Sequence, residues 1–345
     1  MRTLRVPPAD DAMTAEPTRP APSPPADRCV EVIAPCRLHF GLLSFGQPSG
    51  RQFGGAGVMV DHPAVHLRVS AADAFQATGP RAGRARGFAR RWAEHVGLPR
   101  EPVCRIEILS MAPAHAGLGA GTQLALSVAA GLNAWCGRPQ PTPEELALSV
   151  GRGQRSAVGT YGFAAGGLIV ENGKLPSEPI SPLECRLPLP EAWRFLLIQP
   201  PAAAGLSGSA EQTAFDQLPP VPEEVTRQLQ DELHLQMLPA VREADFARFS
   251  DSVYRYGRLA GLCFAAVQGG PYNGPRLSAI VDLIRALGVT GVGQSSWGPT
   301  LFALLPGEQE ARKLVANLAE QLAREEVQLT IRRPNNRGAE IVVSE

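Results

Sequence analysis

Three glycines at alternate positions, Gly117, Gly119 and Gly121, stand just ahead of Thr122 and Gln123 in the stretch PAHAGLGAGTQLAL. Without a Cβ, such a loop lets an anion approach backbone N–H groups. A helix starting there adds unpaired N–H donors and a partial positive charge. Gly117, Leu118, Gly119, Ala120, Gly121, Thr122 and Gln123 are therefore candidate binding residues for a phosphate-type anion, with Thr122 the expected helix cap. The same spacing also serves a tight strand-to-helix turn, and glycines alone do not decide. In CRLHFGLLSFG, Arg37 and His39 alternate with Leu38 and Phe40, so a strand would show both polar groups on one face. A guanidinium suits bidentate anion contacts, and an imidazole ordinarily titrates near neutrality and can move a proton. Further donors come from Arg51 and Gln52, and from Arg152, Arg155, Ser156 and Thr160 in GRGQRSAVGTYGF. No Asp or Glu lies between Arg155 and Phe163, so a hydroxyl nucleophile would have no carboxylate there to orient it. Glu211 follows a small-residue run with Ser207 and Ser209, a candidate substrate-facing loop or a plain connection. Gln294, Ser295, Ser296 and Trp297 form a second turn, in which the indole is either core or a platform for a planar ligand.

These groups need elements to hold them. CVEVIAP reads as a strand running into CRLHFGLLSFG, and GVMVD and AVHLRVS read as two more strands joined by a turn at 61–63. DAFQATG pairs as another strand, giving a mostly antiparallel sheet. An amphipathic helix spans 83–98 with its arginines on a solvated face, and VCRIEILS (103–110) is the strand that feeds the glycine loop. TPEELALSVGRGQ starts as a capped helix, with Thr142, Pro143 and Glu145 forming a capping box. A glycine-rich turn then feeds the strand GGLIVEN, and proline-rich 175–193 reads as a linker at a domain boundary. WRFLLIQPP opens the second half as a buried strand. Residues 222–268 have helical period, with Leu229, Leu233, Met237 and Val241, and then Leu259, Cys263 and Val267, expected in the core. A helix at 276–288, strands on both sides of QSSWGPT, a helix at 308–323 and a strand at 327–333 complete the chain. Residues 1–28, with TRPAPSPPAD, read as a disordered tail, 29–190 as a first domain and 191–345 as a second.

Composition narrows the function classes. The 345 residues carry 33 Lys plus Arg against 33 Asp plus Glu, and only 6% are aromatic. No basic, aromatic-interleaved patch for nucleic acid and no apolar run for a membrane span are present. Neither partner is expected. Six scattered cysteines without a CxxC read as reduced thiols, and the N-terminus lacks an apolar secretion segment, so a cytoplasmic protein is expected.

PAHAGLGAGTQLAL resembles the phosphate-loop motif of the GHMP kinase superfamily, and VTGVGQSSWGPTLFALLP resembles its third motif. With CRLHFGLLSFG, RQFGGAGVMVD and GTYGFAAGGLIVENG, the set is similar to the β-ribofuranosylaminobenzene 5′-phosphate synthase family, a non-kinase branch, over about residues 30–335. The resemblance implies an α+β fold, with a ribosomal S5 domain 2-like N-terminal domain and a ferredoxin-like C-terminal domain. It implies joining of phosphoribosyl pyrophosphate to 4-aminobenzoate or 4-hydroxybenzoate, with release of pyrophosphate and CO₂, in tetrahydromethanopterin biosynthesis. It further implies Mg²⁺ and a homodimer. On this reading Arg37, His39 and Arg155 are catalytic, and Arg51, Gln52, residues 117–123, Glu211 and Gln294–Trp297 bind substrate. An ATP-dependent small-molecule kinase and a non-catalytic ligand-binding protein are the alternatives.

Overall fold

A computed structural model describes residues 1–7, 27–201, 215 and 217–345. Two long strands form its frame, β2 (Cys29–Ser44) and β3 (Phe53–Ser70), paired antiparallel along their length. Around them lie β1 (Arg2–Leu4), β4 (Gln76–Thr78) and β5 (Arg105–Met111), in the order β1-β12-β2-β3-β5-β4, where β12 is Glu340–Ser344. β6 (Leu168–Glu171) pairs with the first part of β3, and β7 (Leu183–Leu187) with β6. One face of this sheet is covered by α1 (Ala82–His95) and α2 (Ala120–Trp135). The small residues of α2 let it lie close: a Cβ on Gly131 would stand 3.1 Å from Val69. Trp92 Nε1 donates to Asn133 Oδ1 at 3.1 Å and ties the two helices together.

The second sheet has the order β11-β8-β10-β9, with β8 (Arg194–Gln199), β9 (Val292–Gln294), β10 (Leu301–Leu305) and β11 (Gln328–Arg332), all neighbours antiparallel. Helical segments fill the connections: α3 (Pro143–Ser149) and α4 (Val158–Ala165) before β6, then α5 (Glu223–Asp231), a π-helical turn at Glu232–Met237, α6 (Leu238–Arg242), α7 (Phe246–Leu262), α8 (Ala265–Gln268) and α9 (Gly274–Ala286) between β8 and β9, and α10 (Glu308–Gln321) between β10 and β11. That sequence of strands and helices is the ferredoxin-like arrangement. Alternation along the strands divides the sheet's faces. Phe195, Leu197, Phe302 and Leu304 join the core built on the first sheet. Leu196, Ile198, Leu301, Ala303 and Leu305 pack instead with Ile280, Ile284, Leu314 and Leu318 of α9 and α10. The first core thus runs without a break through both halves of the chain.

Several sequence expectations change. Residues 61–63 are not a turn between strands: β3 runs straight through them, with register shifts against β2 absorbing the irregularity. A helix, α4, lies where only a glycine turn was expected. The 175–193 stretch carries β7, with Ile180, Ser181 and Leu189 buried, because the strand has β6 to pair with. The N-terminal tail does not include Arg2–Leu4, which form β1 on β12; residues 8–26 lie outside the described residues. The capping box at Thr142 and Glu145 is present as read. Leu229, Leu233, Met237 and Val241 are core, whereas Leu259 and Cys263 are half-buried and Val267 is exposed.

Candidate active site

The cleft, about 740 Å³, opens where the upper part of β2 runs past the end of β12. Beyond Ile33, β2 no longer has β12 beside it, and two loops take over its free edge. Arg37 N–H donates to Leu118 O at 3.0 Å, and Ser296 N–H to His39 O at 3.2 Å. Ser295 latches the two loops together, its Oγ accepting from His39 N–H at 3.0 Å and donating to Gly117 O at 2.7 Å. Glycine is required at this crossing. A Cβ on Gly298 would collide with the Gly117 backbone, and one on Gly117, at φ +83°, with the Ser295 carbonyl oxygen. Gly119, at φ +74°, is the residue before α2, so the helix begins at Ala120 and Thr122 lies inside its first turn rather than capping it.

Guanidinium groups surround that helix start. Arg152 Nη2 donates to Gly121 O at 3.3 Å, and a Cβ on Gly121 would stand 3.6 Å from Arg84 Nη2. Arg37 Nη2 reaches Gly117 O at 3.4 Å. Burial, with Arg84 and Arg91 close by, pushes the Arg152 guanidinium down to about 10, so it stays charged at neutral pH in a place that repels it. No carboxylate among the described residues forms an ion pair with Arg84, Arg91 or Arg152. A concentrated positive field over bare helix N–H groups suits an anion of high charge.

His39 is buried at the floor of the cleft, and its Nε2 is 3.1 Å from Ser156 Oγ. Burial first, and Arg37 second, hold its pKa well below the usual imidazole value, so it is neutral at pH 7 and not poised near neutrality. Behind Ser156 sits Glu171, completely buried at the end of β6, its Oε2 accepting from Ala157 N–H at 2.7 Å. Burial raises its pKa, while the hydroxyls of Ser156 and Ser181 and the start of α4 favour the ionised form less strongly. The other wall is aromatic: Phe215, Phe264 and Trp297 line the cleft. The Trp297 ring meets Phe264 edge-on at 5.1 Å and Phe215 at 6.0 Å, and the Arg155 guanidinium lies 4.9 Å over the Phe215 ring.

Of the sequence-predicted residues, the cleft collects Arg37, His39, Arg155, Gly117 to Thr122, Gln294, Ser296 and Trp297. Others sit elsewhere. Arg51 pairs with Glu178 at 2.7 Å and Gln52 bonds to Gln47, both away from the cleft. Gln123 is buried and ties α2 to α4 through Gly159 O at 2.9 Å. Ser295 acts as the latch, and Thr160 is buried in α4. Glu211 lies outside the described residues. Arg84 is exposed, as its place on a solvated face predicts, but it also lines the cleft, which sequence reasoning missed; it missed Glu171 too, although a lone carboxylate at the end of an apolar strand was a visible signal. No cluster of three or more His, Cys, Asp or Glu residues among the described residues suits a metal ion. No described helix is long and apolar enough to cross a membrane.

The chain is similar to known proteins in sequence and in fold. The pattern of the GHMP kinases N terminal domain matches residues 84–167, and that of GHMP kinases C terminal matches 237–324. A β-ribofuranosylphenol 5′-phosphate synthase of Methanothermobacter thermautotrophicus is 30% identical over 299 residues, covering 80% of this chain and 89% of that one. One from Archaeoglobus fulgidus is 30% identical over 325 residues, covering 90% and 98%. Among solved structures, homoserine kinase from Cytophaga hutchinsonii superposes with a TM-score of 0.64 at 15% identity, covering 91% of this chain and 97% of that one. Mevalonate diphosphate decarboxylase from Enterococcus faecalis does so at 0.62 and 16%, covering 92% and 99%. The structural likenesses show the fold.

Proposed function

Because the chain belongs to the β-ribofuranosylphenol 5′-phosphate synthase family, with its GHMP-kinase fold, we propose that it joins phosphoribosyl pyrophosphate to a para-substituted benzoate. The ribose C1–oxygen bond to pyrophosphate breaks, and C1 bonds to the ring carbon that carries the carboxylate. That carboxylate leaves as CO₂, returning its electron pair to the ring. The products are a C-riboside 5′-phosphate, pyrophosphate and CO₂. The relatives are named for a phenol product, which favours 4-hydroxybenzoate as acceptor; 4-aminobenzoate would give the aminobenzene. Tetrahydromethanopterin biosynthesis is the pathway the family resemblance suggests.

The observation that carries this reading is the charge pattern of the cleft. Arg84 and Arg152 crowd the start of α2, and no carboxylate is among the described residues that line the cleft. Leaving-group charge that develops on pyrophosphate meets donors already in place, an arrangement that lowers the barrier most when no reorganisation is needed. Phosphoryl transfer to a hydroxyl would call for a residue to orient that hydroxyl, whereas an electron-rich ring needs no base. Neutral His39, backed by Ser156, suits hydrogen bonding to substrate rather than holding a positive charge beside C1. Mg²⁺ fits these residues only as a passenger of the substrate, since the described lining offers it no carboxylate; no step here depends on it.

The test is a comparison of donors. With phosphoribosyl pyrophosphate, Mg²⁺ and 4-hydroxybenzoate, release of inorganic pyrophosphate is expected. ADP formation from ATP with a small alcohol, and no pyrophosphate, would replace this reading by a kinase.

A further inference from the structure

We propose that the wall formed by Phe215, Phe264 and Trp297 is a binding subsite for a flat aromatic carboxylate, with the Trp297 indole as its main contact. The proposal deepens the synthase reading and rests on it for the identity of the ligand. Three features support it. First, Trp297 is half-buried on the cleft, whereas Trp92, Trp135 and Trp193 are all buried, so one of the four indoles keeps a face toward ligand. Second, the wall is aromatic on several sides: Phe45 stands 5.0 Å from both Phe215 and Phe264 and supports them from within the core. Ring faces and edges prefer an aromatic partner to water. Third, the wall adjoins the anion end of the cleft. Gly298, the next residue after Trp297, packs on the Gly117 backbone, so a ring lying on the indole sits beside the loop that would hold the departing pyrophosphate. Arg155, over the Phe215 ring, brings a positive charge to the same wall for the carboxylate.

Among the tryptophans, Trp297 alone can report ligand at this wall. Titration of the full chain with 4-hydroxybenzoate, with and without inorganic pyrophosphate, is expected to quench tryptophan fluorescence, and Trp297→Phe is expected to lose most of that change. In turnover, Trp297→Ala should raise KM for 4-hydroxybenzoate about tenfold, with KM for phosphoribosyl pyrophosphate unchanged; Trp297→Phe, which keeps a ring, should fall between. Quenching by ATP but not by the benzoate would overturn the proposal, as would absence of any quenching under both conditions. Unchanged acceptor KM in an active Trp297→Ala enzyme would also overturn the subsite while leaving the synthase reading intact. Quenching by the benzoate in a chain that releases no pyrophosphate would support the subsite and count against the synthase.

Discussion

At the residue scale, the start of α2 holds positive charge in an unfavourable place. Arg152 pays for its position with burial and with repulsion from Arg84 and Arg91. Arg152→Gln is therefore expected to raise the melting temperature of the ligand-free protein while weakening pyrophosphate binding about 10- to 100-fold, the scale of a charge-assisted hydrogen bond. Paired thermal melts and calorimetric titrations check both halves; a variant that loses stability without losing affinity contradicts the assignment. His39 and Glu171 predict opposite pH trends. His39 stays neutral in the fold while the unfolded chain gains a proton below about 6.5, so its contribution makes stability fall as pH drops through that value. Glu171 has a raised pKa, so its burial weakens the fold as pH rises above the ordinary carboxylate range. Denaturation of His39→Gln between pH 5 and 7.5 should show less acid loss than the parent, and Glu171→Gln less loss toward neutrality. The reverse order would show the signs to be wrong.

At the element scale, two loops cross on the free edge of β2, and their contact is backbone on backbone. Gly298→Ala must push the loop at 295–300 away from the glycine loop, so it is expected to lower kcat/KM at least tenfold and the melting temperature by several degrees. Gly87, mid-helix in α1 and with open space around it, is the control: Gly87→Ala should stabilise the protein by about 0.4–1 kcal/mol without touching activity. The same elements show what a sequence can and cannot disclose. The glycine loop, the capping box at Thr142, and the strands on both sides of QSSWGPT were readable because each is fixed by neighbouring residues. Arg84 was not, because only the packing of α1 on α2 turns it toward the helix start. The joining of residues 53–70 into one strand was also hidden, since a local Asp-His-Pro looks like a turn until β2 supplies partners along its length. Arg51 had the right chemistry for a substrate residue, but Glu178 and the Gly173 carbonyl hold it elsewhere.

At the scale of the whole molecule, β8 and β10 send alternate side chains into two cores, and the larger core is shared by both halves. The last strand, β12, returns to pair with β2. Unfolding is thus expected as one cooperative transition, seen as coincident fluorescence and circular-dichroism midpoints; two separated transitions would show independent halves. The site lies at the junction of those halves, with the helix start and β2 from the first and the 295–300 loop, Phe264 and Trp297 from the second. On the proposed function, that junction is where a donor diphosphate and a flat acceptor would meet. The direct test of that account is to incubate the protein with phosphoribosyl pyrophosphate, Mg²⁺ and carboxyl-labelled 4-hydroxybenzoate, and to count labelled CO₂ against pyrophosphate. Equal amounts of the two, dependent on both substrates, are predicted. Pyrophosphate without labelled CO₂, or neither product from either benzoate in folded protein, would contradict it.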